Sequence, residues 1–364
     1  MLLDPHIRYP GWLAFDTALN GDHIVYTASD HVFALVSSPK DGSLMSIGSP
    51  SQKVNGSDPA GDGPVALARA VSKSGEHYLF SANYGSGSVG VFALAPDGTI
   101  APTSNDAPAV VASFQFSRPK SDPVGPVTSR QDHSYIHHVA PSPDGRFVYA
   151  VDLGTDEIHQ LALGSDCKST SLVSSTRVAR GSGPRHITFW PAAGSFLSGT
   201  PTFAYVVSEL ACTLTAFFVD PASGALRMIG EPIVSVPPGT SLGGNATTGA
   251  ERNVAEVAVS PDGNYVYVSN RGDPVEDHIS VFRRDPKTGA VSWKNWFGTN
   301  GLHPRHFSLS NDEDATYLVA ANMNSNNVVI LARDLVTGAL KPTGAEIQNF
   351  TSPNFAGFSP WSLR

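Results

Sequence analysis

A unit that recurs along the chain limits the possible folds more than any other feature. Its clearest copy spans 133–158, HSYIHHVAPSPDGRFVYAVDLGTDEI. A polar, histidine-bearing lead-in is followed by a short apolar run, a Pro-Asp-Gly turn, a second apolar run over 147–151, and an Asp-Leu-Gly-Thr-Asp loop. Asp-Gly supplies the positive φ that a tight hairpin requires, so the unit predicts two antiparallel strands, with a third opening at Glu157. The same order returns at 253–281 and 303–334, and more weakly at 11–36, 65–94 and 181–220. Six copies at a spacing of roughly 40–60 residues fall in the range of four-stranded propeller blades.

Outer hairpins punctuate the repeats with equal regularity. SPKDGSL (38–44), APDGTI (95–100), DPASGAL (220–226), DPKTGAV (285–291) and DLVTGAL (334–340) each follow a strand. Each pairs a turn-starting Asp or Pro with a Gly before the next apolar residue, as a turn from third to fourth strand should. Three stretches break the rhythm: 101–132, 192–202 and 237–251. Long loops in compact domains tend to be functional or mobile. The first and third directly precede the strands at His137 and Glu256, which predicts that they overhang one face; a surface insert without a role is the alternative.

A chain of 364 residues exceeds an ordinary domain, but repeats add to one continuous core, so 1–364 is expected to be a single domain. Only 15% of residues are charged, and Gly and Pro are abundant, which predicts a turn-rich, all-β protein in which helix plays no part. A closed ring needs its last blade shared between the termini or latched. After six copies only 351–364 remains, about one strand, so the closing blade is expected to be abbreviated or completed by sequence outside this chain.

The formal net charge is −8, and no Lys/Arg cluster interleaves with aromatic residues, which argues against nucleic acid and anionic membranes as partners. No apolar run approaches the ~18 residues of a membrane span. Cys167 and Cys212 are the only cysteines, too few for a disulfide framework and without metal-ligand spacing. The N-terminus lacks the basic and apolar regions of a signal peptide, so the cytoplasm is the expected compartment, with secretion open if an N-terminal segment is missing. Sequons at Asn55, Asn245 and Asn349 would permit glycosylation in a secreted protein, but are also expected by chance in a chain rich in Ser and Thr.

In a propeller, equivalent positions of successive repeats converge around the axis, which turns a repeat alignment into a site prediction. At the start of the first strand the copies place His137, Arg185 with His186, Glu256 or its neighbour Asn253, and Arg305 with His306. At the end of the second strand they place Asn83, Asp152, Glu209, Asn270 with Arg271, and Asn322. Such Asn and Asp residues also cap strand ends, a structural reading that competes with substrate binding. A base, an acid and two guanidinium groups at one mouth exceed what capping requires. His133, His137 and His138 are close in sequence, but in an extended strand His137 and His138 point to opposite faces, so no metal site is expected.

The ordered motifs YLFSANYGSGSVGVFAL, IHHVAPSPDGRFVYAVDLGTDEI, GSGPRHITFWP, YVVSEL, VAVSPDGNYVYVSNR and HPRHFSLS with VAANMNSNNV resemble the lactonase family of seven-bladed β-propellers. That family includes propeller-type 6-phosphogluconolactonase and the fungal 3-carboxy-cis,cis-muconate lactonizing enzyme. The resemblance covers nearly the whole chain and implies a seven-bladed, all-β propeller, its closing blade incomplete at the N-terminus because the family's "VGTYT" opening is missing. That gap suggests a truncated start. It also implies that the family's active-site histidine falls on His137, its glutamate on Glu209, and its two arginines on Arg185 and Arg271. Asn83, Asp152, His186, Asn270, Arg305, His306 and Asn322 are the expected substrate-binding positions.

These residues suit two reactions. In lactone hydrolysis, Glu209 or His137 takes a proton from water while Arg185 or Arg271 stabilises the tetrahedral oxyanion. In a carboxymuconate-type cyclisation, Arg185 and Arg271 clamp the carboxylates of a diene while His137 or Glu209 supplies the acid. Both predict a small anionic substrate, a lactone or a polycarboxylate, and neither asks for a cofactor or a metal. Hydrolysis of an anionic sugar-acid lactone is the first expectation, cyclisation the second and a non-catalytic binding scaffold the third. A scaffold would present broad apolar patches, whereas Trp190, Trp293, Trp296 and Trp361 are scattered as blade-packing residues would be. Oligomeric state is not legible.

Overall fold

Each of the six repeats folds into a four-stranded antiparallel sheet, and the six sheets stand in sequence order around an axis. The computed structural model describes residues 7, 10–48, 62–101, 110–118, 122–192, 197, 199–245 and 247–361. Asn55 and parts of the inserts at 101–132 and 192–202 lie outside them. Blades 1 to 6 occupy 12–47, 64–115, 136–177, 184–234, 253–298 and 304–348. Within each, the first strand is innermost and the fourth lies at the rim.

Apolar clusters fill the spaces between successive blades. Tyr78, Phe80 and Val91 of blade 2 pack on Val139, Val148 and Leu161 of blade 3, and Tyr205, Val207 and Leu214 of blade 4 pack on Val257, Val266 and Phe282 of blade 5. Both faces of the inner strands are therefore covered, which is why runs such as Tyr265–Arg271 are buried throughout although the sheet is antiparallel.

A repeated latch ties four of the six blades to the next. Tyr26, Tyr149, Tyr205 and Tyr267, on second strands, donate their hydroxyls to the carbonyls of Gly98, Gly224, Gly289 and Gly338 at 2.8, 2.5, 2.9 and 3.0 Å. Those glycines sit in the third-to-fourth strand turns of the following blade. Only glycine suits them: Gly338 has φ +71°, and a Cβ there would lie 2.6 Å from the Tyr265 ring. Phe80 holds the equivalent place in blade 2 and Val319 in blade 6.

The innermost strands share a second device. Blades 2, 3, 4 and 6 carry a bulge at the second residue of the first strand. Pairing passes from Pro64 to Ala66, Ile136 to His138, Pro184 to His186, and Pro304 to His306. Val65, His137, Arg185 and Arg305 are the residues passed over. Blade 5 leaves two, Ala255 and Glu256, between paired Val254 and Val257. A bulge re-aims the extra side chain, here toward the axis. Blade 1 pairs without interruption and contributes Trp12, whose ring lies 5.1–5.4 Å from those of His138, His186, His306 and Phe355.

Between blades 6 and 1 no further sheet forms among the described residues. An extended C-terminal segment covers both flanks instead. Ala356 and Phe358 pack on Val319, Ala321 and Ile330, while Trp361 joins Ile7, Phe15 and Phe33, and stacks on His23 at 4.4 Å. The expectation that helix plays no part fails at two places, a 3-10 turn at Cys167–Ser169 and one α-helical turn. Thr128–Gln131 forms a single helical turn inside the first insert, and that turn reaches the axial site.

Candidate active site

The bulges, the ends of the second strands and the first insert surround a cavity of about 410 Å³ at one mouth of the axis. His137 and Arg305 enter it from bulges, Glu209 and Arg271 from the ends of second strands, and Arg130 from the helical turn. Tyr84, Asn253, His303 and Val65 complete the wall.

Glu209 is the electrostatic centre. Its Oε2 lies 2.9 Å from Arg185 Nε and 3.3 Å from Arg271 Nη2, and its Oε1 accepts a hydrogen bond from Arg130 Nη2 at 3.0 Å. Its backbone N–H donates to the Gly183 carbonyl at 2.7 Å, which fixes the chain as it leaves the strand. Burial alone would raise this carboxyl, but Arg271, then Arg185 and Arg130, reverse the effect and hold it well below the usual carboxylate range. Glu209 is thus an ionised anchor for three guanidinium groups and a poor proton acceptor.

His137 is the opposite case. Burial, followed by the positive charge of Arg185, pushes its imidazole well below its ordinary value, so it is neutral at physiological pH. Its Nδ1 is buried without a hydrogen-bond partner, which leaves Nε2 as the nitrogen turned to the cavity. Tyr84 meets the ring edge-on, with centroids 5.5 Å apart.

The guanidinium groups differ in their commitments. Arg185, 1% exposed, donates to the Ala255 carbonyl at 2.6 Å and contacts His186 Nε2 at 3.2 Å; it lies beneath the cavity and not on its wall. Arg271 donates to the Val254 carbonyl at 2.9 Å and contacts His303 Nε2 at 3.3 Å. Arg305 has neither an ion pair nor a hydrogen bond among the described residues; it is half-buried, and burial lowers its proton affinity. A half-buried cation without a partner favours an anion that joins it.

A small recess below the cavity is lined by Arg185, Arg305, His137, His186, His306 and Trp12. Beneath it, Glu256 accepts from His186 Nδ1 at 2.9 Å and approaches His306 Nε2 at 3.4 Å, and His306 Nδ1 lies 2.9 Å from the Ala356 carbonyl. His186 and His306, expected at the substrate, belong to this axial layer. Among the described residues no group of three His, Cys, Asp or Glu side chains is placed to hold a metal ion.

Four of the expected substrate contacts lie elsewhere. Asn83 donates to Ser88 Oγ at 3.1 Å, Asn270 to Ser280 Oγ at 2.8 Å, and Asn322 to the Thr299 carbonyl at 2.9 Å. Asp152 accepts from Ser134 Oγ and from the backbone N–H groups of Tyr135, Gly154 and Thr155 at 2.6–3.1 Å. All four are at most 3% exposed and are committed to protein groups around their strand ends, as the capping alternative requires.

Three polar residues of the wall, Tyr84, His303 and Arg130, escape the alignment of the repeats. Tyr84 directly follows Asn83, and His303 opens the HPRH motif, so both carried a signal one or two residues from a named position. Arg130 lies in an insert without a repeat equivalent and carried none. The inserts do share one face. Arg130 reaches Glu209 from the first, while in the third the N–H of Ala250 donates to the Leu210 carbonyl at 3.0 Å, beside Val127 of the first.

Comparison with known proteins gives a consistent outcome. A family model described as "Lactonase, 7-bladed beta-propeller" matches residues 6–355. The 6-phosphogluconolactonase of Bacillus subtilis is 30% identical over 279 residues, 77% of this chain and 69% of that protein. A solved structure from Bacteroides uniformis, provisionally described as a 6-phosphogluconolactonase, superimposes with a TM-score of 0.76 at 28% identity, covering 97% of this chain and 89% of that one. The periplasmic gluconolactonase of Pseudomonas aeruginosa, at 24% identity and a TM-score of 0.75 over 97% and 89% of the two chains, shares the fold. The family is described as seven-bladed, whereas the described residues here build six four-stranded blades.

Proposed function

Because the chain belongs to the lactonase family of seven-bladed β-propellers, we propose that it hydrolyses an anionic sugar-acid lactone by direct attack of water, with 6-phosphogluconolactone the first candidate. The observation that carries this reading is the company of Arg305 and His137. An uncommitted cation and a neutral imidazole face one polar cavity, beside guanidinium groups that a single carboxylate neutralises only in part.

The neutral imidazole of His137 takes the proton from water as the oxygen adds to the lactone carbonyl. Arg271, held by Glu209 and the Val254 carbonyl, stabilises the oxyanion, and Arg305 receives the substrate's anionic group. Glu209 keeps Arg130, Arg185 and Arg271 from repelling one another. Cyclisation of a diene would instead require an acid from His137 or Glu209. The first is held neutral and the second ionised, and hydrolysis ranks first because the relatives named for an activity are 6-phosphogluconolactonases.

A substrate panel tests the proposal. Purified protein is given gluconolactone, its 6-phosphate and a carboxymuconate, with acid release followed by pH-stat and diene loss by ultraviolet absorbance. Hydrolysis is expected, with His137→Ala lowering kcat by about 10²–10⁴-fold. Arg305→Ala is expected to raise KM for the phosphorylated lactone more than for the neutral one. Diene loss without lactone hydrolysis would sink the reading.

A further inference from the structure

Hydrolysis of a lactone needs a second proton transfer, to the ring oxygen. When the tetrahedral intermediate collapses, the ring C–O bond breaks toward an alkoxide, a poor leaving group that must be protonated as it departs. His137 would be asked to carry the water's proton beside Arg185 and Arg305, and the burial and positive surroundings that keep it neutral disfavour a long-lived imidazolium. Glu209 is ionised. The guanidinium groups of the wall stabilise negative charge but do not give up a proton. His303 is held neutral, first by burial and then by Arg271.

Tyr84 is the wall residue that remains with a proton to transfer. Arg130 Nε–H donates to its phenolic oxygen at 2.9 Å, and Arg130 is itself held by Glu209 at 3.0 Å. With that lone pair occupied, the O–H is turned away from Arg130. Tyr84 also stands beside His137, edge-on at 5.5 Å, so the two rings flank the same volume. We propose that Tyr84 is a catalytic residue that donates its phenolic proton to the departing ring oxygen, with Arg130 orienting it and stabilising the tyrosinate that forms.

The step balances without a further reactant. The water oxygen forms a bond to the carbonyl carbon, and its proton passes to His137. The ring C–O bond breaks with its electron pair going to the ring oxygen, which takes the proton of Tyr84. The proton on His137 passes to solvent as soon as the water oxygen has added, solvent returns one to the tyrosinate as the product leaves, and the net change is one lactone and one water to one hydroxy acid. Burial raises the phenol above its ordinary value and keeps it protonated in the resting site, while Arg130 acts in the other direction and makes the transfer accessible.

This role rests on the lactonase reading, and one experiment separates the two. Wild type, Tyr84→Phe and a protein carrying trifluorotyrosine at position 84 are assayed on gluconolactone and its 6-phosphate across pH, with thermal melting as the check on folding. Tyr84→Phe is expected to lower kcat by about 10²-fold or more, as loss of a general acid does. Trifluorotyrosine, a more acidic phenol of nearly the same shape, is expected to move the basic limb of the kcat/KM profile to lower pH. It serves as the test even if Tyr84→Phe fails to fold. Activity of a folded Tyr84→Phe close to wild type, or a basic limb that trifluorotyrosine leaves in place, overturns the role of Tyr84 and leaves the lactonase reading standing. A wild type inert toward both lactones overturns the reading and this role with it.

Discussion

Glu209 is 6% exposed, yet it is surrounded by three guanidinium groups that satisfy it from two sides. The arrangement explains why a residue that looks in sequence like an acid or a base is neither in the folded protein. Its charge is needed for the cluster to exist. Glu209→Gln keeps the shape and removes the charge, so Arg130, Arg185 and Arg271 would face one another in a poorly solvated site. Breaking a buried ionic cluster in this way is expected to cost roughly 3–5 kcal/mol, read by urea or thermal unfolding, together with loss of activity. A Glu209→Gln protein as stable as wild type would show that the guanidinium groups do not depend on this carboxylate. His137 and Arg305 were legible because they occupy equivalent repeat positions. Arg130 was not, because an insert has no equivalent from which its place can be inferred.

Blades are joined by the tyrosine-to-glycine latches, and these assign a physical role to the DPxTG-type turns. The glycine supplies both the left-handed backbone and the space into which the previous blade's aromatic ring packs. Tyr267→Phe removes the hydrogen bond to the Gly338 carbonyl and is expected to cost about 0.5–1.5 kcal/mol. Gly338→Ala adds backbone strain of about 1–3 kcal/mol and a clash with Tyr265, so it should be the more damaging of the two by denaturant titration. An equal or reversed order would refute the account. The inner-strand bulges have a comparable importance for the site. Passing over His137, Arg185 and Arg305 in the pairing breaks the strict in-and-out alternation of a strand and lets residues on three blades meet on the axis.

Around the axis, burial lowers His137, His138 and His186 well below their ordinary range, and lowers His306 to about 4. The unfolded chain protonates these groups below about pH 6.5, whereas the native protein does not. The unfolded state therefore binds more protons in acid, and stability, complete above about pH 6.5, falls as pH drops toward 4. Each of the four contributes a slope of up to about 1.4 kcal/mol per pH unit. The melting temperature is expected to fall steadily between pH 6.5 and 4.5, and a flat profile over that interval would contradict the burial of this axial layer. The same layer lies beside the place where blade 6 meets blade 1. There Trp12, Phe355 and Trp361 provide the packing that aliphatic and aromatic clusters provide between the other blades.

The amino-acid sequence by itself determined the repeat, the strand pairs and their turns, because period-two patterning and Asp-Gly or Pro-x-x-Gly signals are local properties that need no partner to be read. It also determined which positions approach the axis, since a repeat copies geometry as well as residues. Tertiary structure alone decided what those residues do there. Asn83, Asp152, Asn270 and Asn322 turned to protein groups around their strand ends because a buried polar group takes the nearest partner. His186 and His306 sank to an axial layer around Glu256 because the bulge aims one residue at the cavity and the next beneath it. The protonation of His137 and Glu209 depends on burial and on charges brought from several blades and an insert, separations over which no local pattern carries information.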